Sequence, residues 1–408
     1  MKFSELELIE PLIEAVNQFN YKEASPIQEK AIPVLLDGKD LFGCAKTGTG
    51  KTAAFALPIL QMLYLRDEAD KYPRTIKALI LAPTRELAIQ INETFEMMRP
   101  FVNLKSAVVF GGVGQSGQVN KINRGIDILI ATPGRFNDLY QQGLLDLKHV
   151  EYFVLDEADR MLDMGFIKDV RKIIKYLPKK RQTMMFSATL PKEIEHLVDE
   201  ILDHPVRVMV SSGNMTVDKI HQSLYFVDKA NKAKLLMKLL ENPQIYNAIV
   251  FVRTKRNADT LSKKLNKHGI PTVAIHGDKS QNARVRALND FKEDKARILV
   301  ATDIAARGID IENLTHVVNF DLPDQPENYV HRIGRTARAG ANGDAITLCC
   351  YQEMSELKDI QKFIKQEIDV CDNPYYPMED LSQPVKKGSK PNQNKPKKRP
   401  QRRYTKRK

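Results

Sequence analysis

Residues 40–63 read DLFGCAKTGTGKTAAFALPILQML. An apolar run of strand length leads into a glycine-rich loop, Ala45–Thr52, and the loop runs into a stretch with the length and apolar content of a buried helix. In that setting glycines let backbone N–H groups approach phosphate oxygens, and the helix N-terminus favours the anion. Ala45, Lys46, Thr47, Gly48, Thr49 and Gly50 would form the cradle, Lys51 would reach the β and γ phosphates of a nucleotide, and Thr52 would ligate magnesium. Ala45 stands where the strict pattern has its first glycine.

Outward from this loop, short apolar runs alternate with amphipathic stretches: ALILAP from Ala78, AVVFGG from Ala107, DILIAT from Asp127, YFVLDEAD from Tyr152 and TMMFSAT from Thr183. Such alternation predicts an α/β fold with a parallel sheet, and chemistry-bearing residues at the run ends lie where open α/β sheets bind ligands. After VRVMV comes the polar stretch SSGNMTVDK, and then a second series: NAIVFVRT from Asn247, TVAIHGD from Thr272, RILVATD from Arg297, HVVNF from His316 and DAITLCC from Asp344. Two tandem domains are expected, residues 1–212 and 213–372, followed by a tail over 373–408.

The tail explains the charge. The 408 residues carry a net charge of +12, but Leu381–Lys408 holds twelve Lys or Arg and no acid, and without it 51 basic residues face 51 acidic ones. A one-signed block mixed with Pro, Gly, Ser, Asn and Gln cannot bury enough apolar surface to offset its ordering entropy, so a disordered basic tail is expected. Hydrophobic content of 42% and charged content of 28% exclude wholesale disorder for the rest. The four cysteines form no C-x-x-C pair, which argues against zinc and disulfide frameworks. No apolar run approaches the ~20 residues of a membrane span, and no signal-peptide pattern opens the chain, so a cytoplasmic location is expected.

The run YFVL ends in DEAD, Asp156–Asp159. A phosphate loop needs a second magnesium ligand, a carboxylate, which Asp156 supplies, and Glu157 beside it can polarise an attacking water.

Together with SPIQ, PTRELA, a Gly-Gly pair, TPGR, SAT, IVFVRT, HGDKSQNAR, VATDIAARGID and HRIGRTARAG, in that order around these two motifs, the chain resembles the DEAD-box RNA helicases of superfamily 2 from Phe3 to Gly340. The wording DEADRMLDMGF is similar to the bacterial RhlE-like group. The resemblance implies two RecA-like domains that close on each other when ATP and RNA bind. It implies that Gln28 reads adenine, for which one amide offers both a donor and an acceptor, with Tyr21 and Phe3 as the accompanying aromatics. It makes Arg335 and Arg338 arginine fingers, Asp310 a ribose contact, His331 and Asp159 a pair coupling nucleotide state to domain contact, and gives Ser187–Thr189 a similar linking role. Asn20, Ala24 and Ala337 stand where the family has Gly, Pro and Gly.

The absence of Trp and of an aromatic platform argues against base-specific recognition. The resemblance implies contacts to the RNA backbone from Pro83, Thr84, Arg85, Gly111, Gly112, Thr132, Pro133, Gly134 and Arg135 in the first domain. In the second it implies Arg253, Gly277, Asp278, Gln281, Arg284 and Thr302. Glycine amides, hydroxyls and single arginines suit phosphates, and the basic tail would add a nonspecific tether. The expected activity is ATP-dependent local unwinding of short RNA duplexes or remodelling of RNA–protein complexes. A DNA-unwinding relative is the alternative enzyme, disfavoured by the Gln28 region, DEAD and SAT together. A non-catalytic RNA scaffold is the other alternative, disfavoured because no catalytic position is lost.

Overall fold

The structure is a computed structural model that describes residues 1–19, 21–45, 48–67, 74–210, 220–306, 314–336 and 343–378. Expectations for Asn20, Lys46, Thr47, Asp310, Ala337 and Arg338, for the whole stretch SSGNMTVDK and for residues 379–408 lie outside the described residues.

The first domain runs α1 (Glu10–Gln18), α2 (Pro26–Leu36), β1 (Leu41–Cys44), α3 (Lys51–Asp67), β2 (Ala78–Leu81), α4 (Arg85–Val102), β3 (Ser106–Val109) and α5 (Ser116–Asn123). It continues with β4 (Ile128–Ala131), α6 (Pro133–Gln141), β5 (Tyr152–Leu155), α7 (Ala158–Asp163), α8 (Ile167–Tyr176), β6 (Gln182–Ser187), α9 (Lys192–Ile201) and β7 (Val206–Met209). Its seven strands pair in parallel in the order β3-β4-β2-β5-β6-β1-β7.

Every residue of β2, β4 and β5 is buried, as a parallel strand covered by helices on both faces requires. Alternation divides their side chains between two cores. Ile80 and Val154 join the cluster beneath α1 to α4, whereas Leu79, Leu81, Phe153 and Leu155 join the cluster on the opposite face.

The second domain repeats the plan with β8 (Ile220–Phe226), β9 (Ala248–Phe251), β10 (Thr272–Ile275), β11 (Ile298–Ala301), β12 (His316–Asn319), β13 (Gly343–Cys349) and β14 (Asp369–Val370), all parallel, in the order β10-β11-β9-β12-β13-β8-β14. One expected boundary needs correction. Residues 373–378, assigned to the tail, pack on this domain: Asn373 Nδ2 donates to Phe226 O at 3.0 Å, and Lys238 lies over the Tyr375 ring. Tyr376 packs against the apolar core of the domain, whereas Tyr375 stays largely exposed.

The strand order places the site. In the first sheet β1, β6 and β5 are neighbours, so the phosphate loop, SAT and DEAD leave adjacent carboxyl ends. The ends of β2, β4 and β3, carrying residues 83–85, 132–135 and 111–112, continue the same rim.

Candidate functional site

Ala45 shows no need for a glycine at its position. Its N–H donates to Ser187 O at 3.0 Å, extending the pairing of β1 with β6, and it is absent from the positive-φ residues. Among the loop's described residues the left-handed positions are Gly48 and Gly50, with φ of 79° and 84°. A Cβ on Gly50 would also lie 2.3 Å from Gln28 Nε2. Gln28 donates to Gly50 O at 3.0 Å and accepts from Ser25 N at 2.8 Å, which forms a capping box at the start of α2. The adenine-reading candidate is thereby tied to the phosphate loop. Phe3 and Tyr21 meet edge to face with centroids 6.1 Å apart.

Lys51 opens α3. It is 6% exposed, and its Nζ has no hydrogen-bond partner within the protein. A buried ammonium without an acceptor is costly unless an anion arrives. Asp156, 2% exposed at the end of β5, has its carboxyl pushed up to about 6 by burial, against the opposing pull of Lys51. Among the described residues no group of three or more His, Cys, Asp or Glu side chains is gathered to hold a metal. A cation bound by Asp156 would therefore draw most of its ligands from phosphate and water, which is how magnesium is usually held.

Glu157 takes a left-handed conformation, φ 51°, as the chain turns from β5 into α7. Its carboxylate is buried and bonded to Arg160, whose Nε and Nη2 have no partner within the protein. Asp159 reaches across to SAT: its Oδ2 accepts from Ala188 N at 3.1 Å and from Thr189 N and Oγ1 at 2.9 Å each. The DEAD and SAT segments are thus joined directly.

In the second domain the evenly spaced arginines separate by role. Arg332 is 2% exposed and grips Asp303 through Nε at 2.6 Å and Nη2 at 2.7 Å, while Nη1 donates to Asp321 O at 2.6 Å. It is structural. Arg335 follows the helix Pro326–Ile333 and lines a small recess with His331, Asn328 and Asp303. Thr336 anchors that turn by donating its hydroxyl to Leu314 O at 2.8 Å.

The expected backbone-binding residues gather in a cleft of about 540 Å³ between the domains, lined by Pro83, Thr84, Arg85, Glu86, Gly111, Thr132, Gly134, Arg135, Asp138, Met164, Phe166 and Arg284. Arg85, at the start of α4, is pushed below the usual guanidinium range by burial, then by Arg284 and, more weakly, by Arg135, with Glu86 opposing. Arg135 Nη1 and Arg284 Nε lack partners within the protein. Three crowded guanidiniums, two of them with donors to spare, describe an anion site. Gly112, φ 79°, lies so close that a Cβ would sit 2.2 Å from Arg85 Nη2.

Gln281 and Arg284 come from the facing domain and are bonded across the cleft. Arg85 Nη1 donates to Gln281 Oε1 at 3.3 Å, Gln281 Nε2 to Glu86 Oε1 at 3.2 Å, and Arg284 pairs with Glu86 at 3.0 Å. Pro133 is buried in the first turn of α6. Arg253, Gly277, Asp278 and Thr302 do not line the cleft. Arg253 is held by Leu322 O at 3.0 Å and lies near Asp324 and Glu356, while Asp278 pairs with Lys255 at 2.5 Å.

Sequence reasoning passed over Glu86, Arg160, Met164 and Phe166. Glu86 and Arg160 sit inside motifs quoted for their neighbours; a buried charge needs a partner, but the partner's identity emerges only in three dimensions.

Models of two families match the chain: DEAD/DEAH box helicase over residues 25–197, and helicase conserved C-terminal domain over residues 231–340. An ATP-dependent RNA helicase CshA from Listeria monocytogenes is 44% identical over 373 residues, covering 91% of this chain and 71% of that protein. The solved structure of the DEAD-box helicase Mss116 bound to single-stranded RNA and UDP-BeF is 30% identical with a TM-score of 0.82, over 91% of this chain and 80% of that one. A variant of S. cerevisiae Dbp5 bound to RNA and ADP BeF3 gives 0.80 at 32% identity, over 91% and 95% of the two chains. The Dbp5 variant bound to Nup159, Gle1, IP6 and ADP gives only 0.62 at 31% identity, over 91% and 96%. The motifs on the two sheet rims, the family models and these relatives agree: the chain belongs to the DEAD-box family of ATP-dependent RNA helicases.

Proposed function

We propose that the protein binds ATP on the rim formed by β1, β5 and β6 and RNA in the cleft beside it, and that closure of the two domains over both licenses hydrolysis. The observation that carries this reading is the bridge from Glu86 to Gln281 and Arg284, which brings candidate RNA-binding residues of both domains into one electropositive cleft. In this reading the loop amides and Lys51 hold the phosphates. Thr52 and Asp156 would hold magnesium, which when bound neutralises charge developing on the phosphates. Glu157, positioned by Arg160, orients the attacking water. Arg335, with Arg338 beyond it in the sequence, would approach the γ-phosphate from the second domain; a finger of this kind is worth ~10³ to 10⁵ in rate. Bending one RNA strand on closure would separate a short duplex locally.

The other roles stay with this reading. Gln28, Tyr21 and Phe3 would hold adenine, Asp310 the ribose, and His331 with Asp159 would couple nucleotide state to closure. The twelve basic residues of 381–408 would add a sequence-independent, salt-sensitive hold on RNA. A cytoplasmic location is supported by four cysteines that form no disulfide. As to subgroup, the eleven residues DEADRMLDMGF point towards RhlE-like proteins, whereas a match of 373 residues points towards a relative named CshA; the longer match weighs more.

Replacing Glu157 by Gln should lower RNA-stimulated ATP hydrolysis by about 10² to 10⁴ while nucleotide still binds. Lys51→Ala should lose both binding and hydrolysis. Wild-type hydrolysis in either variant would remove that residue from the mechanism.

A further inference from the structure

Two side chains in the cleft do not suit an RNA backbone. Met164 and Phe166 are half-buried and line it together with a set of arginines, hydroxyls and glycines. Phosphates and riboses give no reason to place a thioether and an aromatic ring there, because both leave apolar surface beside charged groups.

Their placement is rigid. Helix α7 ends in a Schellman turn: Phe166 N donates to Met161 O at 2.8 Å, and Gly165 N to Leu162 O at 2.9 Å. Gly165 takes the left-handed conformation the turn demands, φ 76°. Val170 N then donates to Phe166 O at 2.9 Å, so the next helix holds the same residue from the other side. Phe166 also packs against the apolar cluster on that face of the sheet. A side chain fixed in this way loses little freedom when it contacts a ligand.

We propose that Phe166, flanked by Met164, packs against a nucleobase of the bound RNA strand while the arginines lining the same cleft hold its phosphates. The charge of the cleft selects a polyanion, and among polyanions a nucleic acid strand is the one that also presents flat apolar faces. Every base has such a face, so the contact adds affinity without sequence preference. The inference rests on the reading of the cleft as the RNA path.

The test is binding of a short single-stranded RNA, and of the same strand with abasic sugars along its centre, measured by fluorescence anisotropy with a non-hydrolysable ATP analogue. Stacking of one base is worth ~5- to 150-fold in affinity. Phe166→Ala should weaken the normal strand by a factor in that range and leave the abasic strand nearly unchanged, while Phe166→Tyr should retain the preference for bases. Arg85→Ala should weaken both strands equally. Equal losses on the two strands in Phe166→Ala, or no loss on either, would overturn the proposal. Met164→Ala, which should lose part of the same preference, serves if Phe166→Ala fails to fold, and equal effects on both strands would count against the proposal there too. If Arg85→Ala left both strands unaffected, the reading of the cleft itself would fail, and the two failures would be told apart.

Discussion

Lys51 and Asp156 present opposite charges in one buried place. The lysine has no acceptor within the protein, and burial pushes the aspartate up to about 6. A cation requires the ionised carboxylate, so binding releases a proton once the pH lies below the raised pKa. Nucleotide affinity measured in magnesium should thus be flat above about pH 7 and fall by up to tenfold per unit below about pH 6. Asp156→Asn should bind weakly and lack that slope. A wild-type affinity that stays constant down to about pH 5 would show that Asp156 does not contribute as an anion. The arginines of HRIGRTARAG carry a second lesson at this scale. Their sequence spacing is uniform, yet Arg332 is sealed into bonds with Asp303 and the backbone of Asp321, while Arg335 lines the recess beside His331. Spacing alone cannot show which arginine is sealed in, because that depends on partners such as Asp303, distant in sequence.

Among the elements, α7 joins the DEAD carboxylates to the cleft over six residues, a rise of roughly 9 Å. Glu157 and Asp159 sit at its start, and Met164, Gly165 and Phe166 close its end. A Cβ at Gly165 would meet nothing within 4 Å, so Gly165→Ala tests conformation without a clash. It should destabilise the first domain by about 1 kcal/mol in urea unfolding. It should also weaken RNA binding, because the turn that carries Phe166 would shift. Unchanged stability would mean that the turn places no demand on its glycine. The sequence displayed the α/β alternation and the motif at each strand end, because fully buried strands and phosphate-binding glycines are local patterns. Ala45 read as a departure only because its strand-like pairing with Ser187 was not visible. The end of α7 was read merely as family wording; nothing in MGF tells that the turn faces a cleft built by β2, β3 and β4.

The whole molecule depends on contacts between its domains. Glu86, 7% exposed, is bonded to Gln281 and Arg284 of the opposite domain. Removing one member of a buried charged pair leaves the other uncompensated, so Glu86→Ala should disfavour the closed arrangement by about 2 kcal/mol, or about 30-fold. Energy transfer between dyes on the two domains, with RNA and a non-hydrolysable ATP analogue present, would register the loss. An unaltered closed fraction would mean that the bridge forms without favouring closure. Two domains were legible from two strand series, but this bridge was not, because its partners lie 195 residues apart. The central claim is that RNA gates hydrolysis by closing the cleft. It is tested most directly by steady-state ATP hydrolysis without nucleic acid, with single-stranded RNA, and with DNA of the same sequence. The account predicts a low basal rate, strong stimulation by RNA and little by DNA; equal rates in all three would contradict it.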